Sequence, residues 1–490
     1  MDEMNMESTQ NETTIQETPR REYRTGERQR PERRRKTQAE IFKETTLPLI
    51  ILAVAAAFIL IFIIGSIVRG VQKHNIEKAA SVAAAESIAA EDARLIAEKD
   101  AILAQAEIMA ANYDFDGAIA LIDSFSGNIG AYTELQDARV SYEYNKGSMV
   151  AWEDPNQIIN LSFQTLVEDG SRAFSHAEYS DTMKRNFITT SEFKTILERL
   201  YANNYILVSL EDFIEFGGEN EDAPIYQYKT LYLPEGKKPI VLTQTNVNYN
   251  LYLVDSDDDM LPDQGGVGIA SKMVLQEDGS IACEMVNADG STSTGAYDMV
   301  PILDAFIEAH PDFSYHGAKA VLALTGYNGL FGYRIDVDGR EKFGEEAYKK
   351  DVESVKAIAS ALKDSGYDLA CYTYANAPYG VYALSEIQAD MQQWADEIVP
   401  ILGNFDIMVF AQESDINSGM LYSGEKYDYL KSIGFNYFLG FSTEGDPFTF
   451  IAEQYVRQGR LLVTGKNITE NPSWFNTIFD VENLLEASRG

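Results

Sequence analysis

Between Thr45 and Val68 the chain carries no charged side chain, and from Leu47 onward Ile, Leu, Ala, Val and Phe dominate without an amphipathic period. A helix of about 20 such residues spans the hydrocarbon of a bilayer. Residues 47–69 are therefore predicted to form a single transmembrane helix. The run is too long and too far from the start for an ordinary signal peptide, and no typical cleavage site follows it. Arg20, Arg21, Arg24, Arg28, Arg30, Arg33, Arg34, Arg35, Lys36 and Lys43 precede it. Basic residues accumulate on the cytoplasmic side, so the N-terminus is predicted inside and the long C-terminal part outside the cell membrane. Residues 1–46, rich in Glu, Thr, Gln and Arg and poor in apolar pattern, read as a disordered cytoplasmic tail. The arginines set topology; they also suit anionic lipid.

Residues 71–111 are rich in Ala, Glu and Lys and lack Pro and Gly, which predicts a helical stalk. Asn112-Tyr113-Asp114-Phe115-Asp116-Gly117 breaks it. Further helices are expected near 117–124 and 132–145, making residues 70–150 an extracytoplasmic stalk and hairpin. After Trp152-Glu153-Asp154-Pro155 the period changes. Short β-rich runs at 158–163, 205–208, 240–243, 319–324, 369–372, 407–410, 437–441 and 461–464 alternate with helical runs such as 190–203, 296–310, 351–365, 385–402 and 427–432. That alternation implies an α/β fold with a parallel sheet, open or closed as a barrel, over residues 151–480.

Composition changes this picture in three places. The net charge of −36 lies almost wholly beyond residue 46, because residues 1–46 hold ten Lys/Arg against ten Asp/Glu. So acidic a surface disfavours nucleic acid and other polyanions. Two cysteines, Cys283 and Cys371, make no disulfide framework. The four histidines, His74, His176, His310 and His316, include no His-x-x-x-His or HExxH spacing, so no local two-histidine metal motif exists.

Two strand-to-loop segments stand out. The first is Pro239-Ile240-Val241-Leu242-Thr243-Gln244-Thr245-Asn246-Val247-Asn248-Tyr249. The second is Leu369-Ala370-Cys371-Tyr372-Thr373-Tyr374-Ala375-Asn376. Each is an apolar strand running into a polar loop, where barrel folds place their chemistry. They are flanked in order by Ile188-Thr189-Thr190-Ser191-Glu192-Phe193, by His310-Pro311-Asp312-Phe313 and Ala323-Leu324-Thr325-Gly326-Tyr327, and by Ser365-Gly366-Tyr367-Asp368. Arg457-Gln458-Gly459-Arg460 with Thr464-Gly465 comes last. In this order, from about Asn160 to Ile468, the chain resembles the polysaccharide deacetylase (NodB-homology) family.

The resemblance implies a distorted (β/α) barrel and a metal-dependent carbohydrate deacetylase ancestry. In active members of that family the first loop supplies two aspartates and the second His-x-x-x-His. One aspartate and both histidines hold a divalent metal, and the other aspartate takes a proton from metal-bound water. Here the positions read Thr245, Asn246, Tyr372 and Asn376. None offers a carboxylate or imidazole, so the family metal is predicted absent and no cofactor is expected. Gln164 stands where a family segment often carries His. The reading is a membrane-anchored, hydrolase-like pseudoenzyme of the cell envelope that binds cell-wall glycan or an envelope protein. A deacetylase with a rearranged site, using Glu211, Asp212, Asp298 and Arg334, and a structural envelope scaffold are the alternatives.

Candidate ligand contacts are Gln164, Asn248, Arg334, Tyr374 and Tyr379, with Tyr372 and Tyr382 in the same aromatic loop. Tyrosine rings stack on sugars but are equally at home in a core. Asp255, Asp257, Asp259 and Asp263 have the spacing of a calcium loop, but Met260 replaces the turn glycine and Gly266 the bidentate Glu; they read as a solvated acidic loop. Gly326, Gly329 and Gly332 lack the Lys-Ser/Thr of a phosphate cradle and read as turn glycines. Cys371 reads as a strand-end core thiol.

Overall fold

A computed structural model describes residue 39 and residues 42–217, 224–417, 419–442 and 444–489. The tail expected to be disordered lies outside the described residues up to residue 38. Its last part, Phe42–Thr46, is a π-helical segment.

Two compact units make up the chain, Met1–Asp92 and Ala93–Gly490. Helix α1, Leu47–Ala111, begins as the apolar run and continues unbroken through the predicted stalk. It is long and apolar enough to cross a membrane.

In the second unit, Ile102 and Ala106 near the end of α1 pack with α2, Phe115–Asp123, and α3, Thr133–Gly147, around Ala118, Ile122, Phe125 and Leu135. Asp114 ends one helix and starts the next: its Oδ1 accepts the Gly117 N–H at 2.8 Å, an N-cap bond. The turn is tied to the rest of the unit. His316 N donates to the Asn112 carbonyl at 2.7 Å, and the Tyr113 ring stacks on Tyr315.

The remainder is mixed α/β around a closed parallel barrel of seven strands. In chain order the strands are β1 Ile159–Phe163, β2 Tyr205–Leu207, β3 Lys238–Thr245, β4 Ala320–Leu324, β5 Asp368–Cys371, β6 Ile407–Val409, β7 Tyr437–Phe441 and β8 Val456–Leu462. The ring runs β1–β3–β4–β5–β6–β7–β8 and closes from β8 onto β1, where Arg460 faces Asn160 in register. Strand β2 stays outside the ring. It pairs the first half of β3, Lys238 to Ile240, while β4 pairs the second half, Leu242 to Thr245. This shared partner is the distortion of the barrel.

Alternation along each strand sorts the core into two shells. Val241, Val321, Ala323, Ala370, Ile407, Val409, Tyr437 and Leu439 form one cluster, the lumen. Their neighbours Ile240, Leu242, Leu322, Leu324, Leu369, Met408 and Phe438 belong to the other, beneath the helices. Strands buried on both faces read as continuous apolar runs, which is why they were legible. One side of the lumen is polar instead. Asn160 Nδ2 donates to Gln458 Oε1 at 2.9 Å, and Thr243 Oγ1 donates to Asn160 Oδ1 at 2.8 Å. Two residues further along the same strands come Ser162, Thr245 and Arg460.

Four antiparallel additions among the described residues lie outside the expected alternation: Val150–Trp152 with Leu231–Leu233, Ile214–Gly217 with Ile225–Tyr228, the meander Lys272–Leu275, Ile281–Val286 and Thr292–Gly295, and Thr449–Ile451 on β8. The chain's last described residues also pack on the barrel's outer helices. Arg489 Nε donates to Glu192 Oε1 at 2.7 Å, and Glu192 is fully covered inside the helix Thr190–Ala202.

Candidate functional site

The C-terminal ends of the barrel strands enclose a cavity of about 160 Å³. Its walls bring together Gln164, Thr245, Asn246, Tyr372 and Asn376 with Ser162, Gln412, Glu413, Phe441, Arg460 and Thr464. The five residues the sequence singled out here thus converge from the ends of β1, β3 and β5. Catalytic and binding groups of parallel barrels occupy this end.

Strand alternation places Ser162, Thr245, Tyr372 and Arg460, and the left-handed turns past the strand ends bring in Asn246, Asn376, Gln412 and Glu413. Thr245 and Tyr372 continue the inward-facing positions of β3 and β5. The Thr245 hydroxyl donates to the Phe163 carbonyl at 3.3 Å, and burial raises the Tyr372 phenol above its ordinary range. Asn246 Nδ2 donates to Gln164 Oε1 at 3.1 Å, and the Thr165 hydroxyl donates to the Asn246 carbonyl at 2.8 Å. Gln412 Nε2 donates to the Asn376 carbonyl at 2.8 Å. The oxygens Asn246 Oδ1 and Asn376 Oδ1 are covered and have no partner.

The rim is strained. Asn246 (φ 61°), Asn376 (φ 52°), Gln412 (φ 52°) and Glu413 (φ 51°) all adopt left-handed backbone. Each such non-glycine residue costs on the order of 1 kcal/mol, and these conformations gather at sites where a side chain must be aimed.

Arg460 forms the cavity floor and is fully buried. Its Nε is shared by the carbonyls of Leu439 and Gly440 at 3.3 and 3.2 Å. Nη1 donates to Ser162 Oγ at 2.9 Å and Nη2 to the Phe410 carbonyl at 2.7 Å. The guanidinium therefore joins the ends of β1, β6 and β7, and burial lowers its pKa to about 10. In the sequence Arg460 stands only as the end of the closing segment Arg457-Gln458-Gly459-Arg460. Its signal was a charged residue beside the apolar run Leu461-Leu462-Val463, at the same parity as the inward Val456 and Gln458. Gln412 and Glu413 had no comparable signal.

Other expected contacts lie away from this cavity. Tyr379 is fully buried, with its hydroxyl on Asp390 Oδ2 at 2.6 Å, and the Tyr374 hydroxyl reaches Glu397 Oε2 at 2.6 Å. Burial lifts both phenols well above their ordinary range. Arg334 donates to the carbonyls of Asn248, Asn328 and Tyr249 at 3.1, 2.7 and 2.9 Å, clamping the loop after β3. Asn248 is buried in that same loop, donating to Asn250 Oδ1 at 2.9 Å.

The acids considered for a rearranged site do not line the cavity either. Asp298 is fully buried and accepts from Leu166 N, Gln244 Nε2 and the Tyr249 hydroxyl; burial raises its pKa. Glu211 and Asp212 follow β2 and face Asp368 at the start of β5, the opposite end of the barrel. Glu413 is the one carboxylate among the described cavity residues.

Ligand atoms of Asp255, Asp257 and Asp263 lie within 4.8 Å of one another. Asp263 holds Ser256, and Asp255 accepts the N–H groups of Asp257 and Met260, so the loop folds upon its own carboxylates. Gly329 serves a tight turn: a Cβ there would sit 1.9 Å from the Tyr333 carbonyl oxygen, and its φ is +83°. Cys371 is a buried free thiol, raised by burial.

No family model matches the chain, and no curated protein matches it either. Among solved structures it is similar to a Streptococcus pyogenes deacetylase, PplD, in complex with acetate. That likeness has 12% identity and a TM-score of 0.33, and covers 68% of this chain and 99% of that one.

Proposed function

We propose that the chain is a membrane-anchored, extracytoplasmic barrel of the polysaccharide-deacetylase type that binds a cell-envelope glycan at its barrel mouth and does not hydrolyse acetyl groups. The observation that carries this reading is the wall of the mouth cavity. It is built from amides and hydroxyls, those of Gln164, Thr245, Asn246, Tyr372, Asn376 and Thr464. Such groups suit sugar hydroxyls and amides, and a ligand donor reaching Asn246 Oδ1 or Asn376 Oδ1 would satisfy an acceptor that has none.

The same wall does not fit a catalytic divalent metal. It offers no imidazole and a single carboxylate, Glu413, and Arg460 places a fixed cation in the floor. Metal-activated water needs ligands that are anionic or strongly basic. A cytoplasmic N-terminus and an external barrel follow from the arginine run before Leu47.

The test is titration of residues 75–490 with envelope-type oligosaccharides, followed by NMR, beside an acetyl-release assay on the same oligosaccharides. Saturable shifts at Gln164, Asn246 and Asn376 with no acetyl release are expected. Turnover that disappears in Glu413→Gln would establish instead a deacetylase that works through Glu413, a carboxylate outside the rearranged site expected from the sequence.

A further inference from the structure

Arg460 is a fully buried cation whose four bonding partners are all neutral oxygens. A guanidinium has five N–H donors. The shared Nε–H, one on Nη1 and one on Nη2 account for three, which leaves two. Among the described residues no carboxylate lies within ion-pair distance of it. Two other buried arginines are neutralised: Arg457 pairs with Asp415 at 2.7 Å and Arg489 with Glu192. Arg334 also lacks an ion pair, but its bonds close a loop away from this cavity. Charge buried without a counter-charge is costly, and removing that cost favours whatever anion reaches it.

Arg460 lies in the wall of the mouth cavity with no exposed surface of its own, so its charge acts on whatever occupies the cavity from just beneath the surface. The Tyr372 and Thr464 hydroxyls stand in the same wall. Thr464 Oγ1 accepts the Asn467 N–H at 3.0 Å, which leaves its proton to donate. Glu413 on the rim and the net charge of −36 work against a dianion. A ligand carrying one negative charge balances the single guanidinium charge, whereas a dianion exceeds it.

We propose that the mouth cavity is a carboxylate site, with Arg460 as the ligand's counter-ion, and that the glycan unit it takes is an acidic sugar rather than a neutral one. This rests on the glycan-binding reading above for the sugar, but not for the carboxylate.

The experiment is calorimetric or NMR titration of residues 75–490 with glucuronate, glucose, propionate and inorganic phosphate, at low and physiological salt. Glucuronate is expected to bind at least fivefold tighter than glucose, to weaken as salt rises, and to be competed by propionate but not comparably by phosphate. Thr464→Val, at the cavity edge, should lower glucuronate affinity a few-fold when compared at a temperature where both proteins are folded, with a small fall in melting temperature because the same hydroxyl caps the helix Gly465–Glu470. Arg460→Met should abolish the preference, with circular dichroism confirming the fold.

Equal affinity for glucuronate and glucose would overturn the carboxylate site and leave glycan binding standing. Propionate binding without either sugar would keep the carboxylate site and remove the glycan reading. Tighter binding of phosphate than of glucuronate would overturn the choice of a monoanion. Absence of binding by all four would overturn both.

Discussion

The Tyr379 hydroxyl donates to Asp390 Oδ2 at 2.6 Å, and the same carboxylate accepts the backbone N–H groups of Tyr374 and Ala375 at 2.8 and 2.9 Å. Asp390 sits in the helix Leu384–Glu397, so one carboxylate fixes the loop that follows β5. The loop tyrosine is thereby a strut of the site and does not reach into it. Tyr379→Phe should cost about 1–2 kcal/mol, by leaving a buried carboxylate one donor short. Tyr379→Ala should cost about 3–5 kcal/mol through the added cavity. Glycan affinity measured under folded conditions should stay within about twofold in the Phe variant. Loss of binding at unchanged stability would place the ring in the ligand site after all.

Burial, reinforced by the charges of Glu211, Asp212 and Asp406, raises Asp368 at the closed end of the barrel to about 7. An unfolded aspartate titrates near 3.9. The folded state thus holds a proton that the unfolded state releases. The stability this group contributes is complete below pH about 4 and is lost as pH rises through about 7. Asp368→Asn should remove that dependence. Chemical denaturation at pH 5 and pH 8 should show the wild type losing on the order of 1–2 kcal/mol more than the variant between the two. Identical pH dependence in both proteins would contradict the assignment.

Much of this architecture was legible because parallel strands announce themselves. The runs at 240–243, 319–324 and 407–410 are apolar on both faces and each became a barrel strand. The convergence of Gln164, Thr245, Asn246, Tyr372 and Asn376 was legible for a related reason: strand ends carry the polar positions of a barrel. The antiparallel additions were missed although Asp278-Gly279 and Asp289-Gly290 are strong hairpin signals, with φ of +86° and +81° at the glycines. Hydropathy alternation in Ile281–Val286 is shallow, Thr292–Gly295 has no large apolar residue, and Lys272–Leu275 is only four residues long. Tyr374 and Tyr379 could not be sorted from the sequence, since ring burial depends on Asp390 and Glu397, which lie beyond the loop. Arg460 was hidden because its role comes from carbonyls at the ends of β6 and β7 and the Ser162 hydroxyl of β1, none of them near it in the sequence.

Orientation across the membrane rests on the arginines before Leu47 and has a clean assay. The native thiols Cys283 and Cys371 are both buried, so labelling background is low. Ser81 is exposed on α1 beyond the apolar run. Ser81→Cys on intact cells should react fully with a membrane-impermeant maleimide. Reaction only after permeabilisation would reverse the topology and place the barrel inside.

Installing the carboxylates and imidazoles that the polysaccharide deacetylase resemblance implies at these positions tests whether Arg460 opposes a metal in this cavity. The variant carries Thr245→Asp, Asn246→Asp, Tyr372→His and Asn376→His. It gains two carboxylates and two imidazoles on the wall of the same cavity. It retains Arg460 in the floor, a fixed cation held by Ser162, Phe410, Leu439 and Gly440 and therefore unable to withdraw. Two new carboxylates beside a guanidinium form ion pairs before they meet a metal, because the cation is already in place. The four-residue variant is expected to hold well under one equivalent of zinc after dialysis, and to be more stable at pH 8 than at pH 4. Adding Arg460→Leu should raise zinc occupancy at least several-fold at some cost in stability. Elemental analysis decides it: one full equivalent of zinc in the four-residue variant, with Arg460 intact, would show that the guanidinium does not oppose a metal.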